Sequence, residues 1–125
     1  MFKLGLFGNQ IWNSESEFFT GVNLKIHVFD TEALLATHVA SLLAAKLEES
    51  LTIGFATGKT MVSIYEQLKL NPPRSIKARA TMLDEYLGLK ADDARTYAAF
   101  LNHHVFSPLQ FPKTQIYLPQ NLSNP

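Results

Sequence analysis

Hydrophobic and polar positions along the chain change period several times, and each change marks the border of an element. Leu24 to Phe29 is an apolar-rich run broken by alternating Lys25 and His27, which predicts a strand, with Asp30 standing where a helix N-cap would sit. From Thr31 to Glu49 the residues Leu35, Val39, Leu42, Leu43 and Leu47 recur at helical steps, leaving Glu32, His38, Lys46 and Glu49 for the wet side. A second strand is predicted over residues 51 to 55. After a turn containing Gly58, Met61, Ile64, Tyr65 and Leu68 mark a helix from about Thr60 to Leu70. Asn71-Pro72-Pro73 stops that helix, because proline lacks the amide proton and biases the residue before it toward extended geometry. A third strand is expected over residues 77 to 83, a helix from about Asp93 to Phe106 burying Tyr97, Leu101 and Val105, and a fourth strand over 115 to 118.

Strands that alternate with helices through short connections imply an α/β fold: a mainly parallel, Rossmann-like sheet with helices on both faces. Ligands in such sheets gather at the carboxyl ends of the strands. Residues 1 to 23 fit no period well, and their polar cluster Asn13 to Glu17 reads as a loose turn, so they are taken as an amino-terminal extension to a domain spanning 24 to 125.

Composition narrows the functional classes. Eleven basic residues balance eleven acidic ones, so no global field draws the protein to nucleic acid or to an anionic membrane. Any bound anion must be held locally. The chain has no cysteine, which excludes disulfides and thiolate catalysis and suits a cytoplasmic location. Met1 to Gly8 is followed by polar residues and no small-residue cleavage site, so a signal peptide is not expected. The apolar runs fall short of the roughly eighteen residues of a membrane span.

Two segments carry candidate chemistry, each at a predicted strand end. Gly54, Gly58, Lys59 and Thr60 suggest a nucleotide P-loop, but that motif needs one more residue between its glycines than Phe55, Ala56 and Thr57 provide. The physics of a phosphate cradle survives: glycine lets the backbone close on an anion, and the free amides of the following helix point at it. Thr57 and Thr60 add hydroxyls, and Lys59 a positive charge. The plain alternative is an ordinary turn in which Gly58 relieves strain and Thr60 caps the helix. In the second segment, Asp84 and Glu85 follow the third strand directly, and adjacent residues on an extended chain face opposite ways. One carboxylate can turn inward and take a proton from carbon beside a carbonyl. Alternatively, Asp84 caps a turn and Glu85 forms a surface pair.

The string Leu83-Asp84-Glu85-Tyr86-Leu87-Gly88-Leu89 closely resembles the aspartate-bearing motif of glucosamine-6-phosphate deaminases, and Ala56-Thr57-Gly58-Lys59-Thr60 resembles their sugar-phosphate loop. Both occur in the family's order. The later stretch with Thr96, Tyr97, Phe100, Leu101 and Phe106, and the strand entered at Gln115, are similar as well. Tyr86 and Leu87-Gly88-Leu89 look like the deaminase/isomerase branch, since lactonase relatives typically have arginine after the Asp-Glu pair. The resemblance implies that Asp84 moves a proton between C1 and C2 of an opened amino-sugar phosphate. It also implies that Thr57, Gly58, Lys59 and Thr60 hold the phosphate, with Glu85 and Tyr86 as supporting residues. No cofactor or metal is implied.

Three features depart from the family pattern. Lys59 stands where a small residue is usual, and Met61 replaces the common proline. Family enzymes are longer, and their second half supplies the ring-opening histidine in an Asp-Gly-His segment. No such segment occurs here, so the chain is expected to be an amino-terminal half, incomplete relative to the family and poorly active alone. His103 and His104 lie in a predicted helix, where neighbours diverge, and with His27 and His38 they read as structural; Trp12 and Tyr117 carry no specific signal. The expected partners are a sugar-phosphate ligand, with homo-oligomerisation left open, and neither nucleic acid nor membrane. The alternatives are a non-catalytic sugar-phosphate-binding module, a remnant serving assembly, and a 6-phosphogluconolactonase-type hydrolase.

Overall fold

A computed structural model of the protein describes residues 2–7 and 24–118. The chain divides into two units, Met1–Leu35 and Ala36–Pro125.

In the first unit, β1 (Phe2–Phe7) pairs antiparallel with β2 (Leu24–Phe29), from Phe2 opposite Phe29 to Phe7 opposite Leu24. Two expectations are corrected here. Residues 2–7, read as part of a patternless extension, form a strand, and β2 lies in this antiparallel pair, not in the parallel sheet. Hydrophobic alternation marks a strand, but it does not name the strand's partner or direction. His27 and Phe29, two apart and so on one face, stack with ring centres 6.5 Å apart. Helix α1 (Glu32–Leu47) begins at this unit's end, and its cap is Thr31 and not Asp30: the Leu34 amide donates to Thr31 Oγ1 at 3.2 Å.

The second unit contains the parallel sheet. Strands β3 (Thr52–Phe55), β4 (Arg79–Met82) and β5 (Ile116–Tyr117) lie in the order β3-β4-β5, and both pairings are parallel. Thr52 faces Arg79 and Phe55 faces Met82, so β3 and β4 end level with one another. The α/β class with a parallel sheet, read from the alternation of elements, is borne out. Helix α2 (Lys59–Leu70) follows β3; α3 (Tyr97–Leu101) continues without a break into a π-type turn over Asn102–Phe106. In that turn the Ser107 amide donates to the Asn102 carbonyl, five residues back, at 3.0 Å.

Along α1 the buried positions are Ala36, Ala40 and Leu47, while Leu42, expected on the packed side, is 42% exposed. Small residues let a helix approach its neighbours closely, yet they contribute little to a hydrophobic pattern, so the packed stripe is displaced from the one the leucines suggest. The Leu47 carbonyl at the helix end accepts from the amides of Lys77 and Ala78 at 2.9 and 3.1 Å, which ties α1 to the approach of β4. An aromatic cluster forms the core: Phe55 meets Phe106 and Phe111 edge to face at 5.7 and 6.1 Å, and Tyr65 at 6.2 Å. Burial of these rings, together with Leu47, Leu68, Met82, Leu101 and Val105, stabilises the unit.

Candidate functional site at the ends of strands β3 and β4

Because Phe55 and Met82 are paired in register, the segments that leave β3 and β4 emerge side by side at the carboxyl end of the sheet. One is Ala56 to Thr60, the other Leu83 to Tyr86. The second segment starts against β3 itself, since a methyl group added to Gly54 would lie 2.8 Å from Leu83 Cδ2. The absence of a side chain at Gly54 gives Leu83 its place.

In the first segment Gly58 has φ +107° and ψ 166°, a conformation open in practice only to glycine, and it turns the chain into α2. No side chain caps α2, so Thr60 does not play the capping role of the plain alternative. Gly58, Lys59 and Thr60 are exposed and Thr57 is half-buried. The first-turn amides of a helix have no intrahelical acceptor, and with the helix dipole they favour an anion there. The segment is held from below by Tyr65, whose buried hydroxyl donates to the Ala56 carbonyl at 2.6 Å. Burial pushes the Tyr65 phenol pKa well above its ordinary value, so this group stays a donor at any physiological pH.

The second segment separates its two carboxylates. Asp84 is exposed. Glu85 turns to the start of α3, where its two oxygens accept from the amides of Tyr97 at 2.9 Å and Ala98 at 3.0 Å, and it accepts also from the Tyr86 amide at 2.9 Å. Partial burial works against its charge, but the three backbone donors outweigh burial and hold its pKa below the ordinary glutamate value. Thr96, almost fully buried, completes the cap by accepting from the Ala99 amide at 3.1 Å and donating to the Asp93 carbonyl at 2.8 Å. Tyr86 packs on Tyr97 with ring centres 4.6 Å apart, and the Tyr97 hydroxyl donates to that of Tyr86 at 2.9 Å. That bond holds the proton on Tyr97 and pushes its pKa up to about 12.

The structure therefore brings Thr57, Gly58, Lys59 and Thr60 to the same sheet end as Asp84, and draws Glu85 and Tyr86 into bonds with α3. His103 and His104 lie on the π-type turn with their rings 4.8 Å apart, and His104 packs on Phe100 at 4.4 Å. Burial lowers the pKa of His104. Among the described residues, no group of three or more His, Cys, Asp or Glu is placed to hold a metal ion, and no helix is long and apolar enough to cross a membrane.

Sequence reasoning missed the parts played by Tyr65, Glu85 and Thr96. A tyrosine at a buried helical position announces a hydroxyl that needs an acceptor, which is the signal for Tyr65. Glu85 gives no local signal, because the helix it caps begins twelve residues further on.

Fold and site together define a parallel α/β protein with a glycine turn and a carboxylate at the ends of adjacent strands. No protein-family model matches the chain. Among curated proteins it is 32% identical over 96 residues to a glucosamine-6-phosphate deaminase of Geobacillus sp. (strain WCH70), covering 72% of this chain and 38% of that protein. It is 37% identical over 82 residues to one of Leuconostoc citreum, covering 65% of this chain and 35% of that protein. A solved structure of a monomeric glucosamine-6-phosphate deaminase, described as a missing link of the NagB superfamily, superposes with a TM-score of 0.69 at 24% identity. It covers 78% of this chain and 43% of that one, and establishes the common fold. The resemblance read from the two motifs is borne out: along the aligned stretch the chain is similar to glucosamine-6-phosphate deaminases. It spans less than half the length of these curated relatives.

Proposed function

We propose that this chain carries the sugar-phosphate loop and the proton-transferring carboxylate of a glucosamine-6-phosphate deaminase. Residues 24 to 125 would belong to that enzyme's domain, with 1 to 23 as an extension. The observation that carries the reading is the level ending of β3 and β4, which presents Ala56 to Thr60 and Asp84 at one end of the sheet. In this reading Thr57, Gly58, Lys59 and Thr60 hold the phosphate by amides, hydroxyls and one positive charge. Asp84 moves a proton between C1 and C2 of the opened amino sugar, and its exposure leaves it free to meet a ligand. Glu85 and Tyr86 support it indirectly, by fixing the segment that carries Asp84 to the start of α3.

The complete reaction converts glucosamine 6-phosphate to fructose 6-phosphate and ammonia. Both curated relatives described above are named deaminases, which does not favour the lactonase or binding-module readings. A cytoplasmic location and a homo-oligomer belong to the same proposal. These 125 residues contain no Asp-Gly-His, so the polypeptide alone lacks the group that would open the sugar ring. Correct placement of reacting groups is worth about 7–11 kcal/mol of barrier. The purified chain is therefore expected to release little or no ammonia, and a version extended by an Asp-Gly-His segment of the family's kind is expected to release it. Asp84→Asn should abolish that gained activity. Robust turnover by the 125 residues alone would overturn the division of labour proposed here.

A further inference from the structure

The Tyr65 side chain bonds the backbone of the glycine turn from the core. Its hydroxyl donates to the Ala56 carbonyl at 2.6 Å, its side chain is almost wholly buried, and its ring packs against Phe55, the last residue of β3. The peptide between Ala56 and Thr57 is trans, so its carbonyl and its N–H point in opposite directions. A carbonyl drawn inward to Tyr65 thus fixes the Thr57 amide facing away from the core.

We propose that Tyr65 is a positioning residue for oxyanion binding: through the Ala56 carbonyl it aims the Thr57 N–H outward, adding a backbone donor ahead of those of α2. This rests on the phosphate-loop reading above and extends it to a residue that does not itself touch the ligand. The two ends of the turn are then set by different means. Gly58 supplies a backbone conformation that other residues resist, and Tyr65 supplies a tether that only a buried hydroxyl at this position can make. A phenylalanine keeps the ring and its packing but releases the carbonyl, and the peptide plane becomes free to rotate.

The test uses the full chain, with inorganic phosphate as the probe and the amide resonances of Thr57 to Thr60 as the readout. In the unsubstituted chain, Thr57, Gly58, Lys59 and Thr60 amides are expected to shift together along one binding curve. In Tyr65→Phe the phosphate affinity is expected to fall about tenfold, the order of one hydrogen bond to a charged group, with the Thr57 shift reduced most. Ile64→Val, which trims the neighbouring buried residue without touching the Ala56 carbonyl, should lose stability and keep its affinity. A folded Tyr65→Phe chain with unchanged phosphate affinity would overturn the proposal. Should that variant fail to fold, the unsubstituted chain still decides: shifts at Gly58 to Thr60 with none at Thr57 would reject the role of Tyr65 and leave the phosphate loop standing. No shift at any of the four amides would reject the loop and the inference together.

Discussion

The connections that follow β3 and β4 leave the sheet at the same end and each delivers the chain to a helix, yet they treat the helix start in opposite ways. After β3 the chain reaches α2 within three residues, through an exposed Gly58 and with no side-chain cap. After β4 it takes fourteen residues to reach α3, and the helix start is filled by the protein's own groups: Glu85 on the amides of Tyr97 and Ala98, and Thr96 on that of Ala99. An anion at a helix N-terminus is favourable in both places. In α3 the protein brings that anion itself and gains rigidity. In α2 the position is left open, which is the arrangement a phosphate ligand requires.

The contrast can be broken most severely from beneath, at the ring shared by both sides. Phe55→Ala removes the centre of the aromatic cluster and is expected to cost about 3–5 kcal/mol, read as a large drop in the urea midpoint or outright loss of the folded state. Next comes the open side: Gly58→Ala meets no neighbouring atom but forces a β-carbon into φ +107°, at a cost of about 1–3 kcal/mol. On the closed side, Glu85→Ala strands the amides of Tyr97 and Ala98 and is expected to cost about 1–2 kcal/mol. Because the folded-state pKa of Glu85 lies below the ordinary value of 4.5, the cap's contribution is complete above that pH and is lost as pH falls through the lower folded value. Unfolding midpoints followed from pH 7 to pH 3 should therefore show the stability gap between the native chain and Glu85→Ala closing only below about pH 4.5. Smallest is Asp84→Asn, which should leave the midpoint unchanged because the carboxylate is exposed and lies beyond the cap. A loss at Asp84 as large as that at Glu85 would show that the two acids are not divided as described.

Much of this is legible in the sequence. The turn at Ala56 to Thr60 and the pair at Asp84 and Glu85 are local in sequence, and so were found with the strands that end at them. What stayed hidden depends on contacts between distant residues. Nothing near Glu85 reveals that α3 starts at Tyr97 and not near Asp93, which binds Arg95 through both of its oxygens in the turn before the helix. The antiparallel partner of β2 and the alanine-lined face of α1 were missed for a related reason: pairing direction and close approach leave no mark on hydrophobic period. The helical spacing puts Tyr65 on the buried face of α2, but it does not name Ala56 as the acceptor of its hydroxyl.

The π-type turn also bears on how far the chain can change its length. Leu101, Val105 and Phe106 are all buried, and their separations of four and five residues would spread them over about 140° of a regular α-helix, wider than the usual packed stripe. The wider turn draws the three into a narrower arc that faces inward. Excising the exposed His103 would reduce those separations to three and four, the spacing an α-helix buries on one face. At this point the chain holds one residue in reserve: a deletion here is expected to convert the turn to ordinary helix and spare the core, whereas a deletion in α2 just before Ile64 would turn Ile64, Tyr65 and Leu68 by about 100° relative to the start of the helix.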